Sequence, residues 1–203
     1  MTISDRWEAR DIARVAVFAA IIVVLGLMGP IPVPGLVPIT AQTLGIMLAG
    51  AILGWKRGGA AVLVFLLLVA IGLPVLSGGR GGLGVFVGPS AGYLIAFVPA
   101  AIVVGLIAHS GRLTWWRVGL GTVVGGLFVM YALGIPVAAA VTGQPLSLTA
   151  LQALAFVPGD LIKAVLATLL TLALFRAYPP AFPAKARAFR AGTVDTATAS
   201  ASA

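Results

Sequence analysis

Cysteine is absent from the 203-residue chain, histidine occurs once, and acidic residues number only five. Without a thiol there is no disulfide, no thiolate nucleophile and no cysteine metal site, and His109 alone cannot build an all-histidine centre. Charged residues make up 9% of the chain against 61% hydrophobic ones, and the mean hydropathy is +1.14. Such a composition excludes a water-soluble domain and predicts an all-α integral membrane protein. Nucleotide chemistry is missing as well: GGRGGLG at 78–84 lacks the closing Gly-Lys-Ser/Thr of a phosphate loop and any βαβ setting.

What charge there is has one dominant sign. Thirteen Lys and Arg against five acidic residues give +8, but their distribution argues against a nucleic-acid partner. Eleven of them fall into clusters: Arg6, Arg10 and Arg14; Lys56 and Arg57; Arg112 and Arg117; Arg176, Lys185, Arg187 and Arg190. These clusters alternate with connections almost free of positive charge, so the positive-inside rule predicts an even number of spans with both termini in the cytoplasm. Arg80 belongs to an outer loop and Lys163 to a span. The amino terminus, MTISDRWEARDIAR, has no signal-peptide layout, and the first span is expected to stay as an anchor.

The expected architecture is six transmembrane helices near 12–29, 39–54, 58–74, 90–109, 116–135 and 157–176, the second and third being short. Residues 1–176 form one membrane domain, and 177–203 read as a solvated cytoplasmic tail with a basic start and a disordered end. Pro30, Pro32, Pro34 and Pro38 fill the first outer connection, where no helix can run. The second, from Ser77 to Ser90, is glycine-rich, which suits close backbone packing or a lid. A third outer segment runs from Pro136 to Phe156; Ser147 or Thr149 is placed to cap a short surface helix within it, and Pro158 to open the last span. A loop position for His109 predicts simple solvation.

Asp160 and Lys163 are the only ionisable residues between Ala150 and Phe175, and their spacing of three puts them on one helical face. Charge buried in a bilayer costs about 2.5 to 3.5 kcal/mol per residue even on lenient scales, so such residues face a cavity or a partner. Two plainer roles stay open: mutual neutralisation, and complementing the positive end of the helix that begins at Pro158. Arg176 marks the inner end, about 24 Å from Asp160 at 1.5 Å per residue, so the pair sits near the outer mouth. Tyr93, Gln42 and Thr43 share that side and join the candidate contacts, although an aromatic belt and helix caps also explain them. No second catalytic polar group lies at the depth of Asp160, which weakens an intramembrane enzyme. A proton-coupled solitary carrier remains open.

On the first span, Ala9/Ala13 and Ala16/Ala20 form small-xxx-small pairs of the kind that let membrane helices approach closely. Three stretches carry a resemblance: PIPVPGLVPITAQTLGIMLAGAILG (30–54), GLPVLSGGRGGLGVFVGPSAGYLIAF (72–97) and PGDLIKAVLA (158–167). They are similar to the BioY family, the biotin-specific S components of energy-coupling-factor (ECF) transporters. The similarity extends from Arg10 to Arg176, with one mild departure, GPSAGYL where members often read GPTGGYL.

The resemblance implies biotin as transported substrate, an outward-facing pocket and no cofactor or resident metal. It also implies a bacterial inner-membrane location and helix-one alanines that dock on a transmembrane T component driven by two ATPase subunits. Carried onto this chain, Asp160 would accept ureido N–H groups, Lys163 would donate to the ureido oxygen or balance Asp160, and Tyr93 would line the site. Arg80 suits the ligand carboxylate, although the family pattern does not fix its position. An S component for another vitamin stays open.

Overall fold

The computed structural model describes residues 7–29 and 40–190. Arg6, the prolines from Pro30 to Pro38 and the end of the tail lie outside the described residues. Everything described is helix and connection. The first helix, α1 (Ala9–Leu27), starts with a reciprocal cap between Glu8 and Asp11 and buries Val15, Phe18, Ala19, Ile22 and Gly26 along one stripe. Helix α2 (Gln42–Ala70) is broken at Gly54, whose φ of 77° and ψ of 176° suit glycine alone.

At Gly54 the chain doubles back. A Cβ on Gly58 would stand 2.6 Å from the Ala49 carbonyl oxygen, and at the open end Gln42 Nε2 donates to the Val75 oxygen at 3.2 Å. The two legs, 42–53 and 55–70, are therefore an antiparallel hairpin matching the two short spans expected there. Helix α3 (Ala91–Ala108) lies on this hairpin backbone to backbone, because Gly50 faces the Ala101 carbonyl and Gly105 faces Gly54 and Trp55. Small residues at such crossings are what packing in lipid requires, where hydrophobic exclusion does not pull helices together.

The fifth leg is continuous through α4 (Trp115–Val123), a π-helical segment (Val124–Val129) and α5 (Met130–Thr142). It ends at Gly143 in the left-handed conformation. Pro136 thus lies inside α5, not at the start of an outer segment. A missing N–H is tolerated within a membrane bundle, where the local ladder readjusts. The short helix α6 (Leu146–Ala153) has Pro145 at its N-cap, and neither Ser147 nor Thr149 caps it; the Thr149 hydroxyl instead donates back to the Pro145 oxygen at 3.2 Å. Helix α7 (Val157–Ala177) carries Pro158 in its first turn, as expected.

Among the described residues, α1, the two legs of the α2 hairpin, α3, the fifth leg and α7 make six helical legs. The hairpin as a whole, α3, 115–142 and 146–177 are each long and apolar enough to cross a membrane.

One end gathers basic residues around a buried carboxylate. Asp11 accepts from Arg14 at 3.2 Å and Arg57 at 3.0 Å, and Arg14 also donates to the Pro180 oxygen at 2.7 Å. His109 is not a solvated loop residue: it is partly buried, and its Nε2 lies 2.9 Å from the Ala51 oxygen. The segment after α7 departs from the expected solvated tail. Phe182 and Phe189 are buried, Phe182 meets Phe175 edge-on at 4.8 Å, and helix α8 (Ala184–Arg190) folds against the bundle. Phe182, before α8, and Phe189, within it, remove apolar surface that the surrounding basic residues obscure in the sequence.

Candidate functional site

At the opposite end, the first leg of α2, the loop after its second leg, α3, α5 and α7 surround an open cavity. Counting the open space at its mouth, it encloses about 670 Å³. Asp160, in the first turn of α7 and 6% exposed, is its most buried ionisable residue. Its Oδ1 accepts from Lys163 Nζ at 2.9 Å, one turn further along the helix. Its Oδ2 accepts from the Tyr131 hydroxyl of α5 at 2.6 Å, the length of a charge-assisted bond. Lys163 also donates to Thr43 Oγ1 on α2 at 3.0 Å, which leaves one of its three donors for a ligand.

The polar chain Tyr131–Asp160–Lys163–Thr43 therefore crosses three helical legs at one depth. Leu76, Leu94, Phe97, Met130 and Phe156 supply apolar wall around it. At the mouth, Arg80 is exposed; its Nη1 donates to Ser90 Oγ and its Nε to the Ser77 oxygen, each at 3.3 Å. The glycine loop beneath Arg80 is folded. Leu76 and Arg80 form an antiparallel bridge, and Gly81 sits against the Leu73 carbonyl with no room for a Cβ.

All six residues singled out from the sequence, Gln42, Thr43, Arg80, Tyr93, Asp160 and Lys163, line this one cavity. Tyr93 packs across Gly134, and Gly92 faces the α5 backbone, so glycines set how closely the two helices approach. Sequence reasoning missed Tyr131, Ser90 and the apolar wall. A buried phenol within an apolar span needs a hydrogen-bond partner, which is the one signal for Tyr131 in the sequence. Among the described residues no group of three His, Asp or Glu is placed to hold a metal ion. Ala9, Ala13, Ala16 and Ala20 are remote from the cavity; all four are exposed on the face of α1 opposite its buried stripe.

The whole described bundle corresponds to known proteins. A family model described as the BioY family matches residues 1–180. The biotin transporter BioY of Rhizobium etli is 49% identical over 187 residues, covering 88% of this chain and 100% of the relative. That of Rhodobacter capsulatus is 46% identical over 187 residues, covering 87% and 98%. A crystal structure of the S component for biotin from an ECF-type ABC transporter superposes with a TM-score of 0.81 at 32% identity, covering 86% of this chain and 95% of that one. These relatives are named as transporters, not enzymes. Their full-length match and the apolar helices make this chain a multi-pass membrane protein, and it belongs to the BioY family.

Proposed function

We propose that this chain takes up biotin as the substrate-binding S component of an ECF-type transporter. The observation that carries the reading is the Asp160–Lys163 pair held at one depth in an outward cavity with apolar walls. Biotin offers N–H donors and an oxygen acceptor on its ureido ring, an apolar bicycle and a carboxylate. Asp160 accepts from the ureido N–H groups, Lys163 donates to the ureido oxygen with its remaining N–H, and the rings lie against Phe97, Leu94 and Tyr93. The carboxylate reaches Arg80, which Ser90 orients, while Gln42 and Thr43 brace the floor. The names of the relatives support biotin over other vitamins. Purified protein challenged with a vitamin panel should retain biotin alone; retention of a different vitamin, with biotin passing through, overturns the assignment.

The energising partners are a transmembrane T component and two ATPase subunits in a bacterial inner membrane, since this chain has no phosphate loop of its own. The exposed alanine face of α1 is the docking surface for the T component. Bulky replacements at Ala16 or Ala20 should hold the partner helix away and weaken co-purification while biotin binding stays intact. Unchanged assembly for large residues at Ala9, Ala13, Ala16 and Ala20 would remove that role.

The basic end, with Lys56 and Arg112, faces the cytoplasm together with both termini, and Arg80 faces outward. Single cysteines introduced into this cysteine-free chain test it: position 80 should label from outside and position 112 should not. The reverse pattern contradicts the topology.

A further inference from the structure

We propose that Tyr131 is a positioning residue for Asp160, aimed into the cavity by the π-helical segment that precedes it. The proposal rests on the reading of this cavity as a biotin site. Buried positions on the fifth leg are Val118, Gly121 and Thr122 before the segment, Gly125, Gly126 and Leu127 within it, and Met130, Gly134, Ala138 and Ala139 after it. The wide turn at Val124–Val129 takes up one residue more than an α-helical turn does. Everything beyond it is rotated by about 100° from where a continuous α-helix would put it. That rotation puts both Met130 and Tyr131 among the cavity-lining residues.

The hydroxyl placed in this way settles how Asp160 presents itself. A carboxylate with a lysine one turn away tends to swing onto the ammonium and engage it with both oxygens. Tyr131 tethers Oδ2 from the α5 side, and Thr43 draws Lys163 toward α2. The carboxylate is thus stretched between two donors on different helices. Each oxygen keeps a lone pair free for a ligand N–H, and the orientation is set before the ligand arrives. Tyr131 then sharpens recognition through Asp160, without itself touching the ligand.

The test is a double-substitution cycle on the full chain in nanodiscs, with biotin as the titrant. Tyr131→Phe keeps the ring and removes the hydroxyl, and binding should weaken about 10- to 100-fold, as for loss of one hydrogen bond to a charged group. In an Asp160→Asn background the same change should cost less than about threefold, because the group it orients is already altered. An equal loss in both backgrounds would mean that Tyr131 meets the ligand independently, and no loss in either would mean that it does not matter; each overturns the positioning role. Failure of the unsubstituted protein to bind biotin overturns the site reading itself, whereas normal biotin binding with an unaffected Tyr131→Phe overturns only this inference.

Discussion

Asp160→Asn and Lys163→Met should each weaken biotin binding by about 2 to 5 kcal/mol, and the double substitution should fail to restore it. The size follows from stranding one member of a buried, hydrogen-bonded charge pair. Asp160→Asn keeps the shape but puts an NH₂ where an acceptor stood, so it opposes either the ureido N–H or the Tyr131 hydroxyl. Lys163→Met keeps the apolar stem and removes every donor. The double change separates two accounts. A pair that only neutralises itself can be replaced by uncharged residues at little cost, so the double variant would fold and bind normally. Recognition of the ureido group requires the opposite: a folded, monodisperse double variant with binding still lost. Calorimetry on that protein distinguishes them.

The second large effect concerns folding. Gly105→Val should abolish monodisperse protein and Gly105→Ala should lower its thermal midpoint, whereas Gly84→Ala should change little. A Cβ at Gly105 would stand 2.6 Å from the Trp55 Cα and 2.7 Å from the Gly54 carbonyl carbon, and backbone at a hairpin turn has nowhere to move. The helix would have to lift off the hairpin, at a cost of about 1 to 3 kcal/mol for each added increment of bulk. Nothing lies within 4 Å of a Cβ at Gly84, so that loop position is the internal control. Equal melting for Gly105→Ala and Gly84→Ala would contradict the backbone-to-backbone crossing.

Those crossings explain why the span pattern was readable from the sequence while several residue roles were not. Apolar runs and the spacing of basic clusters report on the bilayer, which acts on each segment separately; even the hairpin at Gly54 was visible, because Lys56 and Arg57 mark its turn. The Asp160 depth was visible for the same reason, as charge is costly in an apolar run. Tyr131 was hidden because a helical wheel assumes 3.6 residues per turn, and the π-helical segment breaks that period just before it. Pro136 marks a helix end only by rules that hold in water, and within the bundle α5 runs through it. Phe182 and Phe189 were masked by basic neighbours, and His109 finds its partner, Ala51, on a helix 58 residues away. Each of these depends on what another helix brings to it.

A crystal structure of this protein grown with biotin tests the central claim most directly. The account predicts the ureido ring within hydrogen-bond distance of Asp160 and Lys163, its bicycle against Phe97 and its carboxylate toward Arg80. Biotin bound elsewhere, or bound in the cavity with its carboxylate against Lys163 and its ureido ring at the mouth, would contradict it.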